Sequence, residues 1–246
     1  MTETTPEISV VIPAKDEVDA IGALVEGVER ALEGRAFEVI VIDDGSTDGT
    51  GEALAGLTAA RPWLRPVRNA VSAGQSAAIR RGVRAARGAL IVTLDGDGQN
   101  PPDQIPAVLA PFDNAPPPRL GLVQGERQKR QDTLAKRYAS RLANALRGGL
   151  LKDGVRDSGC GLKAFRRDAY LELPWFDHIH RFMPAMMLRE HWRVTTVPVS
   201  HRPREGGRSK YNNFARGLVG IPDLLGAAWL IRRSQRQQPQ EAGGDG

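Results

Sequence analysis

Two aspartates separated by one glycine follow a run of apolar residues: Ala89 to Leu94 (ALIVTL) leads into Asp95-Gly96-Asp97-Gly98-Gln99. A strand that delivers such a turn can aim both carboxylates at one cation. Hard oxygen ligands of this kind suit Mg²⁺ or Mn²⁺, with diphosphate oxygens and water completing an octahedron. Gln99 can add a side-chain oxygen, directly or through water. The competing reading of the same residues is a glycine-rich turn capped by aspartates, both residue types being common in turns. A second acidic turn, Asp43-Asp44-Gly45-Ser46-Thr47-Asp48-Gly49-Thr50, follows Phe37 to Ile42 (FEVIVI). Its carboxylates can accept from the N–H and hydroxyl donors of a base or ribose. Capping of the next helix by Ser46 or Asp48 competes with that role and is compatible with binding by Asp44. A third run, Ile8 to Ile12 (ISVVI), ends at Pro13-Ala14-Lys15-Asp16-Glu17.

These turns must be held by strands with helices between them. Short apolar runs alternating with amphipathic stretches read as βαβ units of a parallel sheet, which binds ligands outside the carboxyl ends of its strands. Helices are expected over Ala20–Leu32, Thr50–Ala60 and Ser76–Ala86, the last with Ile79 and Val83 on one face and solvated Arg80, Arg81, Arg84 and Arg87 around the rest. Pro101 and Pro102 mark the entry to another helix, and Pro116 to Pro118 a loop. Further on, strands are expected at Leu120–Gln124 and Val194–Val199 and a long helix over Thr133–Leu150. The tail after Ser234 is too polar to bury much surface and reads as disordered.

Bulk properties narrow the partners. The chain has 246 residues, 41% of them hydrophobic, which suits one sizeable α/β domain with short appendages. A net charge of +5 and a pI near 9.7 favour phosphate-bearing partners. One cysteine, Cys160, makes no intrachain disulfide, and the N-terminus lacks an apolar signal core, so a reducing cytoplasmic location is the expectation. Neither GxGxxG nor GxxxxGK[ST] occurs, which argues against dinucleotide oxidoreductases and P-loop NTPases. Nucleic acid is disfavoured because the arginines lack interleaved aromatics. His178, His180, His191 and His201 have no metal-ligand spacing.

Taken in order, ISVVIPAKDE, VIDDGSTDGT, ARGALIVTLDGDGQNPPDQIP, DSGCGLKAFRRDAY and VPVSHRPREGGRSKY resemble the family-two glycosyltransferases of GT-A fold, within them the dolichol-phosphate mannosyltransferase-like branch. The resemblance spans about residues 7 to 213. It implies that Pro13, Lys15, Glu17 and Asp44 line a nucleotide pocket and that Asp95, Asp97 and Gln99 hold the metal against the diphosphate. It further implies that Arg127, Lys136 and Ser140 meet an acceptor phosphate and that a loop with Arg202 and Lys210 closes over both phosphates, with Gly206 and Gly207 letting it move. Asp157 becomes the candidate for orienting the acceptor or acting as base, with capping of the turn Ser158-Gly159 as its structural alternative. Two departures stand out: Lys15 occupies a position where tyrosine is frequent, and Gly96 and Gly98 are expected to loosen the metal turn.

The implied activity is inverting transfer of a sugar from a nucleotide-diphosphate sugar, GDP-mannose or a UDP-sugar, to a polyprenyl phosphate. A second reading keeps the fold and transfers to a sugar or lipid hydroxyl. Gly217 to Ile231 (GLVGIPDLLGAAWLI) is too short to span a bilayer comfortably and reads as an interfacial amphipathic helix. Docking on the domain or a contact between copies competes with that reading. The expected organisation is a catalytic domain over 1–213, this helical segment over 214–234 and a tail over 235–246, peripherally attached to the inner membrane face.

Overall fold

The computed structural model describes residues 5–128, 148–202 and 213–233. Among these, the apolar runs become β1 (Ile8–Ala14), β2 (Phe37–Asp43), β3 (Leu64–Arg68), β4 (Leu90–Thr93), β5 (Leu120–Arg127), β6 (Lys163–Arg166) and β7 (Arg193–Val199). They form one sheet in the order β3-β2-β1-β4-β6-β5-β7. β3, β2, β1 and β4 run parallel, as do β5 and β7, while β6 is antiparallel to both its neighbours. Helices α1 (Val18–Ala31), α2 (Thr50–Thr58), α3 (Gln75–Ala85), α4 (Ile105–Asp113), α5 (Arg167–Glu172), α6 (Met183–Arg189) and α7 (Asn213–Arg232) surround it.

β1 and β2 are apolar almost without interruption because helices cover both faces of the sheet. On one face Val10, Ile12, Val39, Val41, Val92 and Leu94 pack with Leu24, Val25 and Val28 of α1 and with Val108 and Leu109 of α4. On the other, Val11, Ile40, Ile91, Leu122 and Phe165 meet Ile79 and Val83 of α3, Met186 of α6 and Ala227 and Ala228 of α7. Each such aliphatic side chain contributes roughly 1.5–3 kcal/mol by leaving water. A Cβ at Gly82 would collide with Val11 Cγ1, so only glycine lets α3 lie this close to β1.

Among the described residues the expected helices and strands are present with ends shifted by a few residues, while β3, β6, α5 and α6 were not read from the sequence. The expected helix over Thr133–Leu150 lies almost wholly outside the described residues, as does the tail. Arg81, Arg84 and Arg87 are exposed, yet Arg87 also reaches the buried Glu38 at 3.2 Å and Arg80 stacks on Trp175.

α7 docks by one face and leaves the other bare. Ala227 and Ala228 are buried, Arg189 Nε donates to the Leu230 carbonyl at 3.0 Å, and Asp223 meets His178 Nδ1 at 2.8 Å. Ile221, Leu225 and Trp229, spaced four apart and therefore on one stripe, are 51%, 60% and 58% exposed. No helix among the described residues is long and apolar enough to cross a membrane.

Candidate active site

β1 has β2 on one side and β4 on the other, so the chain turns outward in opposite directions from this pair. That reversal opens a crevice at the carboxyl ends of β1 and β4, where ligands of open α/β sheets bind. All three acidic turns gather there.

The first two turns are stitched together. Ser46 Oγ accepts from the Asp16 N–H at 2.9 Å, Thr50 Oγ1 from the Glu17 N–H at 3.0 Å, and Asp16 Oδ1 from the Thr47 N–H at 2.8 Å. Asp48 takes the Thr50 N–H at 3.0 Å and the Val18 N–H at 3.1 Å, so it satisfies donors at the starts of both α2 and α1. The capping expected of Ser46 and Asp48 is thereby a bracing of two loops. Pro13 sits in β1, Lys15 is exposed at its end and Glu17 directly precedes α1.

Asp44 is more committed than a ligand-binding carboxylate needs to be. Oδ1 accepts from Asn69 Nδ2 at 2.6 Å and the Ala73 N–H at 2.8 Å; Oδ2 accepts from Ser72 Oγ at 2.8 Å and the Gly74 N–H at 2.9 Å. Burial alone would raise its pKa, but these donors outweigh burial and hold it below the usual carboxylate range. Asp44 shapes the loop over 69–74 that leads into α3.

That loop ends at Gln75, whose Nε2 donates to Asp95 Oδ1 at 2.7 Å; Asn100 Nδ2 approaches Asp95 Oδ2 at 3.3 Å. Asp97 Oδ1 accepts from the Gln99 N–H at 3.1 Å. Burial and the neighbouring Asp97 push the Asp95 carboxyl upward, against the pull of Lys163 and Arg127. Two carboxylates that repel each other in a sheltered crevice are what a divalent cation relieves, and their oxygens fit Mg²⁺ or Mn²⁺. Among the described residues no third acidic, His or Cys side chain completes such a site. At Gly96 the expectation of a loosened turn is corrected. A Cβ at Gly96 would stand 2.9 Å from the Pro13 carbonyl, so this glycine brings the turn tight against β1.

Across the crevice, Arg127 at the end of β5 and Asp157 form a two-pronged pair, Nε to Oδ2 at 2.6 Å and Nη2 to Oδ1 at 2.8 Å. The hydrogen bond to Asp157 raises the Arg127 pKa further despite desolvation. The two residues expected to act separately are thus brought together. Arg202 is tethered by its N–H to the Gln99 carbonyl at 2.9 Å, with its guanidinium 3.5 Å from Asp103. Lys136, Ser140 and Lys210 lie outside the described residues. Gln75, Asn100 and Lys163 were not singled out from sequence; only the fold brings Gln75 and Lys163 to Asp95, while Asn100 follows the acidic turn directly. His178 and His180 meet Asp223 and Ser76, consistent with structural roles.

Comparison with known proteins bears on the family and the fold. Residues 9–173 match glycosyl transferase family 2. Dodecaprenyl-phosphate galacturonate synthase of Rhizobium johnstonii is 35% identical over 242 residues, covering 94% of this chain and 69% of that protein. Undecaprenyl-phosphate 4-deoxy-4-formamido-L-arabinose transferase of Edwardsiella ictaluri is 34% identical over 227 residues, covering 91% and 67%. Among solved structures, glucosyl-3-phosphoglycerate synthase of Mycobacterium tuberculosis with Mn²⁺, UDP-glucose and phosphoglyceric acid has a TM-score of 0.70 at 21% identity, covering 91% of this chain and 80% of that one. The same enzyme with Mg²⁺ and UDP has a TM-score of 0.67, also at 21% identity, over 92% of this chain and 79% of that one. At that identity the likeness shows the fold, which is GT-A. With well over half its length inside the family match and relatives this similar along most of their length, the chain belongs to glycosyl transferase family 2 and is a glycosyltransferase.

Proposed function

We propose that the chain transfers a sugar, with inversion, from a nucleotide-diphosphate sugar (GDP-mannose or a UDP-sugar) to a polyprenyl phosphate at the inner membrane face, using Mg²⁺ or Mn²⁺. The observation that carries this is the meeting, at the carboxyl ends of β4 and β5, of a repelling carboxylate pair and a half-buried arginine fork. Arg127 and Asp95 each feel the other's charge. One side carries two like charges that a cation would relieve, and the other offers the Arg127 N–H donors left over from its pair with Asp157. Both curated relatives are polyprenyl-phosphate sugar transferases by name, and the fold neighbours were crystallised with UDP and Mn²⁺ or Mg²⁺.

In this reading the loops after β1 and β2 take the nucleoside, and Asp95 and Asp97, with Gln99, hold the ion. A divalent ion there supplies Lewis-acid stabilisation of the charge that develops on the departing diphosphate. Gln75 and Asn100 fix the direction of the Asp95 carboxylate. Arg127 spends two of its five N–H donors on Asp157 and keeps the others for the acceptor phosphate. A phosphate nucleophile is already ionised at neutral pH, so no general base is required. Asp157, locked in its fork, serves as the brace of Arg127; this favours the phosphate acceptor over a hydroxyl, which would need Asp157 as a base.

The test is sugar transfer by purified protein from a panel of UDP- and GDP-sugars to undecaprenyl phosphate in detergent with Mn²⁺. Asp95→Ala and Asp97→Ala should each lower kcat at least about 100-fold, the usual scale for losing electrostatic stabilisation of a leaving group. Near-native turnover in either variant, or turnover insensitive to EDTA, would remove the metal from the mechanism.

A further inference from the structure

The sheet face covered by α3, α5, α6 and α7 changes character within one pleat. Ile91 on β4, Phe165 on β6 and Leu122 on β5 are cross-strand neighbours, each fully buried. Side chains on one face recur every second residue, so the next row on that face is Thr93, Lys163 and Gln124. These three are 3%, 4% and 0% exposed, yet all are polar and one is a cation. If filling space were the only demand, methionine at 163 would meet it without desolvating an ammonium.

What the three share is a target. Thr93 Oγ1 donates to the Gly161 carbonyl at 2.8 Å. Lys163 Nζ donates to the Ser158 carbonyl at 3.2 Å and to that of Cys160. Gln124 Nε2 donates to the Asp157 and Cys160 carbonyls at 3.2 and 3.3 Å. One row of the sheet therefore grips the backbone from 157 to 161 from below. That segment touches both halves of the site. At one end Asp157 holds Arg127; at the other, a Cβ on Gly161 would collide with the Asp95 carboxylate, and Cys160 Sγ lies 3.7 Å from Asn100 Oδ1.

We propose that Lys163, with Thr93 and Gln124, forms a positioning row for the transfer reaction: by fixing the carbonyls of 157–161 it sets the placement of the Arg127–Asp157 fork against Asp95. The role rests on the functional reading above and adds to it residues that contact neither donor nor acceptor. Lys163 is the key member because its ammonium brings three donors to one loop; burial lowers its pKa, and the nearby Cys160, Asp95 and Asp157 pull the other way.

Lys163→Met and Thr93→Val each remove the donors and keep the bulk. Four quantities decide the matter: melting temperature, UDP affinity with Mn²⁺ by calorimetry, kcat and KM for undecaprenyl phosphate, and amide hydrogen exchange over 157–162. For Lys163→Met the expected result is a kcat lower by about 10- to 100-fold, the range for outer-shell partners. UDP affinity should stay within about threefold, and exchange over 157–162 should rise at least about tenfold without change in β1 or β2. Thr93→Val should show the same pattern at about 3- to 10-fold in kcat, and it decides the matter if Lys163→Met does not fold. Native kcat with native exchange in the folded variants would overturn the proposal. If the wild-type protein transfers no sugar to undecaprenyl phosphate, the functional reading fails, while hydrogen exchange still tells whether the row holds the loop.

Discussion

Asp44 shows how an acidic residue at the mouth of a nucleotide crevice can act through its neighbours. Its two oxygens take four hydrogen bonds from the segment over 69–74, which runs on to Gln75 and so to Asp95. Asparagine at this position would present an amide NH₂ to two of those donors. Asp44→Asn should therefore cost about 2–3 kcal/mol at pH 7, the scale for losing charge-assisted bonds and setting donor against donor. The melting temperature should fall by roughly 5–15 °C for a domain of this size. The pH dependence has a definite sign. A carboxyl depressed in the folded state stabilises above its unfolded pKa, and that contribution disappears as pH falls through the folded value. Denaturant melts of wild type and variant should thus differ fully at neutral pH; the gap should begin to narrow only below about pH 4, where the unfolded carboxyl titrates, and close as pH falls through the folded value. A gap that already narrows between pH 7 and about pH 5, above the range in which either carboxyl titrates, would contradict this account. Side chains such as Asp95, Asp97 and Asp157 were legible as candidates because each stands in a motif. Gln75, Lys163 and Arg127 come from segments far from their partners in the chain, so those pairings are written only in the fold, whereas Asn100 stands five residues after Asp95.

At the level of elements, periodicity revealed the strands whose residues are apolar and hid those that are not. β1, β2 and β4 read plainly because both faces are covered. β3 is Leu-Arg-Pro-Val-Arg at the sheet edge, with charges and a proline where a central strand would carry neither, and β6 has only four residues, Lys163 among them. The reversal of β6 between β4 and β5 leaves no local signal at all, since strand order depends on long-range pairing. α7 was legible as amphipathic, while its division into two apolar faces was not: the alanines 227 and 228 turn inward and Ile221, Leu225 and Trp229 outward. The outward stripe, followed by exposed Arg232 and Arg233, suits the interfacial zone of an anionic bilayer. Wild-type protein should co-float with vesicles of phosphatidylglycerol and phosphatidylethanolamine and lose binding as salt rises. Leu225→Ser with Trp229→Ser should weaken partitioning about 100-fold, given roughly 1.5 kcal/mol or more per buried side chain, without lowering the melting temperature. Equal flotation of wild type and variant would mean that the stripe does not enter lipid.

For the molecule as a whole, the relevant fact is that the crevice is assembled from separate stretches of chain. The β1 and β2 turns brace each other, the 69–74 loop joins them to Asp95, and the 157–161 segment joins Asp95 to Arg127. A nucleoside diphosphate bound there would contact the first of these stretches with its nucleoside and the later ones, through the metal, with its phosphates. It would bind the folded chain and have no comparable site in the unfolded one. Ligand at about a hundredfold its Kd then adds roughly 2.7 kcal/mol of stability, which for this length raises the melting temperature by about 5–10 °C. The shift should require both halves of the ligand: UDP or GDP with Mn²⁺ should produce it, the nucleoside alone should not, and EDTA should abolish most of it because the repulsion between Asp95 and Asp97 returns. The diphosphate giving the larger shift identifies the base that the first two loops accept. A panel in which every diphosphate shifts the transition equally with and without Mn²⁺ would point to nonspecific anion binding by a chain of net charge +5, and would leave the acidic crevice without its ion.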